Sequence, residues 1–101
     1  MMTKPEIVPG DGSYRVTGDL VFATVTPLLA LGEALFGDNS EIVFDFRETG
    51  RSDSAGLALL LEWMDRANSR GVDLRYRNLP ESLLAVAHLS NVDELIRASG
   101  D

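Results

Sequence analysis

The apolar positions change period several times along the chain, and each change marks an element. Glu6-Ile7-Val8 is a short strand signal, and Pro9-Gly10-Asp11-Gly12 after it is a turn cluster. From Ser13 to Thr17 the pattern alternates, with Tyr14 and Val16 on one side and Ser13, Arg15 and Thr17 on the other. Period two predicts a half-exposed strand, and the two strands form a hairpin. Thr26-Pro27 then reads as a helix start, with Thr26 as N-cap and Pro27 at the first helical position. Leu28, Leu31, Gly32 and Leu35 fall on one face at helical spacing, and Leu29 and Phe36 lie at its edge. Gly37-Asp38-Asn39 ends that helix. Ile42-Val43-Phe44 and Phe46 form a nearly continuous apolar run, which predicts a strand buried on both faces.

Residues 54–70 carry the strongest helical pattern. Leu57, Leu60, Leu61, Met64 and Ala67 share a face, and Arg70-Gly71 closes the helix with a basic residue and a C′ glycine. Val72 to Tyr76 alternates again. Strand, long helix, strand predicts a right-handed βαβ crossover. Pro80 opens a helix to about Leu89 with Leu83, Val86 and Ala87 inward, and Asn91 to Ser99 supplies a last short helix. The string is β-β-α-β-α-β-α-α. It predicts an α/β fold, a mixed β-sheet with helices packed mainly on one face, in a single domain over residues 1–101.

Composition narrows the function. The 101 residues include 16 acidic and 9 basic side chains, a net charge of −7. Such a chain is unsuited to tracking a phosphate backbone or docking on anionic lipid by charge. Without cysteine it has no disulfide framework, thiolate metal site or cysteine nucleophile. The longest apolar stretch, Ala55 to Leu61, is far short of the roughly 20 residues of a membrane span. The opening M-M-T-K-P-E-I has no apolar signal-peptide core, so a cytoplasmic location is expected.

The segment Phe46 to Leu57 carries the chemistry. It joins the buried strand to the long helix, at the carboxyl end of a strand, where sites gather in open α/β sheets. It also ends at a helix N-terminus, whose free N–H groups favour an anion. Asp53 can cap those donors, which leaves Ser54 at the first helical position with its hydroxyl near solvent. Gly56 permits close approach of a partner backbone. The plain alternative is that Asp53 is an N-cap worth about 1 kcal/mol and Gly56 a packing glycine.

From Asp45 to Leu61 the chain reads D-x-x-x-x-x-x-x-D-S-A-G-L-A-L-L-L. This resembles the signature of STAS domains (sulfate transporter and anti-sigma factor antagonist), and the order of elements agrees over essentially the whole chain. In the anti-sigma factor antagonist branch the phosphoacceptor is the hydroxyl residue just before the glycine, where this chain has Ala55. The MlaB branch, the STAS subunits of Mla phospholipid-transport ABC systems, is similar to D-T-A-G-L or D-T-G-G-L followed by A-L-L-L. Ser54 replaces its threonine, and Gly56 to Leu61 matches closely. Thr26-Pro27-Leu28 partly matches that branch's first helix.

The resemblance implies a non-catalytic subunit, without cofactor or metal, that binds and supports an MlaF-like ABC transporter ATPase. Through the ATPase it would meet the permease and substrate-binding subunits at the inner face of the inner membrane, in a system that maintains outer-membrane lipid asymmetry. It implies no nucleic acid and no membrane insertion. The alternative is an anti-sigma factor antagonist regulated by serine phosphorylation. Expected partner-binding residues are Asp53, Ser54, Ala55, Ala58, Leu59, Glu62, Trp63, Leu29 and His88. Leu59 and Trp63 fall away from the core stripe of the long helix, so Trp63 reads either as an interface anchor or as cover for the core edge. His88, the sole histidine, reads as a boundary residue rather than a ligand. Asp53, Ser54 and His88 could be drawn as a triad, but no G-x-S-x-G or P-loop accompanies them. Arg75-Tyr76-Arg77 places both arginines on one strand face, which reads as a solvated surface.

Overall fold

In the computed structural model, which describes residues 4–10, 12–37 and 39–98, the hairpin forms as the alternation predicts. Strand β1 (Glu6–Pro9) pairs antiparallel with β2 (Tyr14–Leu20), with Ile7 opposite Val16. Helix α1 (Thr26–Phe36) follows, then β3 (Glu41–Asp45), β4 (Thr49–Ser52), α2 (Ser54–Ser69), β5 (Asp73–Arg77), α3 (Glu81–Leu89) and α4 (Asp93–Ala98). Asp11, Asp38 and Ser99, placed by the pattern in the turn, the end of α1 and the last helix, lie outside the described residues.

The sheet order is β1-β2-β3-β5, and β3 is parallel to both β2 and β5. One strand, β4, is absent from the predicted string. After a turn at Arg47-Glu48, β4 resumes the line of β3 along β2, pairing Gly18 with Thr49 and Leu20 with Ser52. Its residues, Thr49-Gly50-Arg51-Ser52, have no apolar alternation. The strand exists because β2 offers it a free edge, a contact thirty residues away in sequence.

The helices pack side by side in chain order, α1 on α2, α2 on α3 and α3 on α4. The face they cover carries Ile42, Phe44, Leu74 and Tyr76, all buried. On the other face Arg15, Glu41, Asp73 and Arg75 are exposed and Val43 is half-buried. So β3 is covered on one face, not two as its apolar run predicts. Its central position in the sheet, between β2 and β5, demands the apolar residues.

Two helix details differ from expectation. The N-cap of α1 is Val25, and Thr26 is already helical. The turn before it is held instead by Thr24, whose Oγ1 accepts from the Val21 N–H at 3.1 Å and donates to the Asp19 carbonyl at 2.5 Å. On α1 the buried residues are Leu28, Gly32 and Phe36, whereas Leu31 is exposed.

Asp45, at the end of β3, ties three segments together. Its Oδ1 accepts from the Arg47 N–H at 2.9 Å and from Asn78 Nδ2 at 3.0 Å. Burial alone would raise its pKa, but the Asn78 and Arg47 hydrogen bonds and the Arg47 and Arg77 charges outweigh it and lower the pKa below 3.8. A lowered carboxyl contributes stability that is present above its unfolded pKa and lost as pH falls through the folded one. Asp45→Asn keeps an acceptor but removes the charge. The variant should therefore melt below wild type at pH 7, with the gap closing as pH drops below 3.8. Thermal melts over a pH series check this, and a gap that is constant with pH would refute it.

Candidate functional site

The helices α1 and α2 start side by side, at the ends of β2 and β4, and three short-range devices lock them there. Asp53 caps α2, its Oδ1 accepting from the Ala55 N–H at 2.8 Å. Its Oδ2 accepts from the Phe22 N–H at 3.2 Å, so the same carboxylate ties down the loop before α1. The Asp53 N–H in turn donates to the Leu20 carbonyl at 3.2 Å. Both oxygens of Asp53 thus serve the backbone, and the N-cap reading holds.

Gly56 is the second device. A methyl group there would lie 2.6 Å from the Leu20 carbonyl oxygen, so the helix seats on β2 only because the residue has no side chain. The backbone that Gly56 admits is this chain's own, not a partner's as the motif suggested. Buried Asp19 is the third, accepting from the Arg51 N–H at 2.9 Å and holding β4 against β2.

This platform presents a shallow groove of about 390 Å³ between the two helices. Val25, Thr26 and Leu29 line it from α1 and its cap. Ala55, Ala58, Leu59 and Glu62 line it from α2. Ser54 stands exposed at the groove's end, on the first turn of α2. Phe22, 84% exposed, projects from the loop that Asp53 anchors. An aromatic ring held in water beside an apolar groove fits a partner surface better than a free one. Glu62 pairs with Arg66 at 3.1 Å, and Arg66 also binds Glu33 across to α1. The Arg66 hydrogen bond and charge, with those of Arg70, lower the Glu33 pKa against the opposing effect of burial.

Seven of the nine expected residues meet here: Asp53, Ser54, Ala55, Ala58, Leu59, Glu62 and Leu29. Leu59 belongs chiefly to the core, at 5% exposed, and only floors the groove. Trp63 is not at the surface. It is 0% exposed, its ring 4.7 Å from that of Phe44, and its Nε1 donates to the Leu29 carbonyl at 3.2 Å. Gly32 makes the notch that admits the indole, since a Cβ there would lie 2.5 Å from the ring. The anchor reading of Trp63 is therefore replaced by the core reading. His88 is also apart from the groove. It lies on α3, 79% exposed, with Nδ1 3.4 Å from an Asp93 carboxylate oxygen.

Sequence reasoning missed Phe22, Val25 and Thr26. The signal was available: Val21-Phe22 is an apolar pair in a turn, at no position of a strand or helix stripe.

Among the described residues no group of three or more His, Cys, Asp or Glu could hold a metal ion, and no helix is long and apolar enough to cross a membrane. Solved structures identify the fold class. The anti-sigma factor antagonist SpoIIAA in its unphosphorylated form matches with a TM-score of 0.67 at 17% identity, over 89% of this chain and 83% of its own. An anti-sigma factor antagonist from Mycobacterium paratuberculosis matches with a TM-score of 0.69 at 18% identity, over 94% of this chain and 82% of its own. The fold is that of these antagonists. The family model described as "Mlab, STAS domain" matches residues 7–97, and the chain belongs to the STAS domain family, close to MlaB. No curated protein matches it.

Proposed function

We propose that this chain is the non-catalytic STAS subunit of an ABC phospholipid transporter. It binds and supports the MlaF-like ATPase, through the α1–α2 groove and the Ser54 end of α2. Its place is the cytoplasmic face of the inner membrane, in a system that maintains outer-membrane lipid asymmetry. The observation that carries the reading is Ala55. A methyl group lines an apolar groove at the position before Gly56, where the phosphorylation-switched branch places its acceptor hydroxyl. The family model described as Mlab points the same way.

A catalytic reading has less support. Both oxygens of Asp53 are bonded to backbone N–H groups, and His88 faces Asp93 instead. Neither orients the other toward Ser54, as a nucleophile would need. The anti-sigma factor antagonist reading keeps one specific observation in its favour. The exposed Ser54 hydroxyl sits on the first turn of α2, where the helix dipole favours a phosphate.

A pull-down from native cytosol and membrane fractions, with wild type and Ser54→Arg side by side, tests the proposal. Ser54 is exposed, so the variant should fold. Recovery of an ABC ATPase with its permease, lost in the variant, is the expected result. Recovery of a serine kinase and an anti-sigma factor in their place would establish the signalling reading.

A further inference from the structure

We propose that β5 pairs edge to edge with β5 of a second copy, antiparallel and centred on Leu74. The inference is independent of the proposed ATPase partner.

β5 ends the sheet, and among the described residues no strand pairs with its outer edge. The parallel ladder fixes which groups point outward. The Asp73 N–H donates to the Ser40 carbonyl, and the Arg77 carbonyl accepts from the Phe46 N–H. Alternate residues of a parallel strand bond to the same neighbour, so Asp73, Arg75 and Arg77 face β3. Leu74 and Tyr76 therefore direct their N–H and C=O groups to the outer edge.

Those two residues admit three antiparallel self-pairings, and the charges choose among them. Centred on Tyr76, Arg75 lies opposite Arg77 of the second copy, twice. Centred on Arg75, the two Arg75 side chains oppose each other at the axis. Centred on Leu74, each Asp73 lies opposite an Arg75 of the other copy and no like charges meet. These would be non-hydrogen-bonded pairs, with the side chains at their closest. Asp73 and Arg75 already meet within one strand, at 3.2 Å, on the open face of the sheet. On the helix-covered face the same register sets Leu74 against Leu74, and Val72 against Tyr76.

The helix side of this edge is also incomplete. A groove of about 290 Å³ runs between α2 and β5, lined by Met64, Ala67, Asn68, Val72, Asp73 and Leu74. Leu74 and Val72 of the second copy would enter it. Edge strands often carry charge to repel pairing. Here the two signs stand two residues apart, which makes the edge self-complementary in one register. On the wheel of α2 this groove lies on the side away from Ala55, Ala58 and Glu62, and Ser54 is at the other end of the helix, so pairing leaves the α1–α2 groove open. A five-residue ladder is small beside a standard interface, so the association is weak and concentration-dependent.

Sedimentation velocity from about 10 μM to about 1 mM provides the test. Wild type should shift toward a dimer as concentration rises. Asp73→Arg alone, or Arg75→Asp alone, should weaken self-association at least about tenfold, with circular dichroism unchanged. The two variants mixed should associate, because each supplies the charges the other lacks. A wild-type sedimentation coefficient that is independent of concentration would overturn the proposal. Single variants that dimerise like wild type, or a mixture that stays monomeric, would overturn it as well.

Discussion

Replacing Trp63 by alanine should destabilise the fold by about 3–5 kcal/mol, before any effect on a partner is felt. The indole is the largest fully buried side chain of the protein. It fills the notch over Gly32, packs 4.7 Å from the Phe44 ring and donates a hydrogen bond to the Leu29 carbonyl. Its removal leaves a cavity between α1, α2 and β3 and deletes one hydrogen bond between the two helices. The loss is at least about a fifth of the roughly 5–15 kcal/mol that holds an ordinary domain. At about 4–8 °C per kcal/mol for a domain of this size, Tm should fall by more than about 12 °C. Trp63→Phe keeps most of the ring and should cost far less. A thermal melt decides between the two roles considered for this residue. An unchanged Tm with weakened partner binding would return Trp63 to the surface.

The sequence leaves Trp63 open between anchor and core because of how a helix wheel is read. The spacing of Leu57, Leu60, Leu61, Met64 and Ala67 defines one stripe, and Leu59 and Trp63 lie beside it. That reading assumes a helix with one buried face. α2 packs on the sheet, on α1 and on α3, so its buried arc also takes in Leu59 and Trp63, while Leu61 and Met64 are left half-exposed. Local features were legible because their physics is local: the Asp53 cap and the Arg70-Gly71 closure each need only neighbouring residues. β4 was not legible, since it depends on β2, and neither was the Gly32 notch, since it depends on Trp63. The motif residues Ala55 and Ala58 fall on the α2 wall of the groove. The α1 wall and Phe22 come from the pairing of two helix starts, which no single segment encodes.

The largest functional effect should come from Ala58→Arg. Ala58 is exposed and lines the α1–α2 groove between Ala55 and Glu62. An arginine here projects a long cationic side chain across the opening toward Val25 and Leu29. Nothing in the fold resists it, since the position is solvent-facing and Arg is a good helix former. Stability should therefore move by no more than about 0.5 kcal/mol. Binding to the ATPase, if the groove is the docking surface, must then expel or bury that charge. Loss of a central contact of this kind is typically worth 2 kcal/mol or more, which is about a thirtyfold rise in Kd. Calorimetric titration of the ATPase with wild type and variant gives the number directly. The pairing of results discriminates sharply: an unchanged melt with a thirtyfold weaker Kd assigns the groove to the partner. An unchanged melt with an unchanged Kd moves the interface away from it, and leaves Ser54 and Phe22 to be explained by another surface.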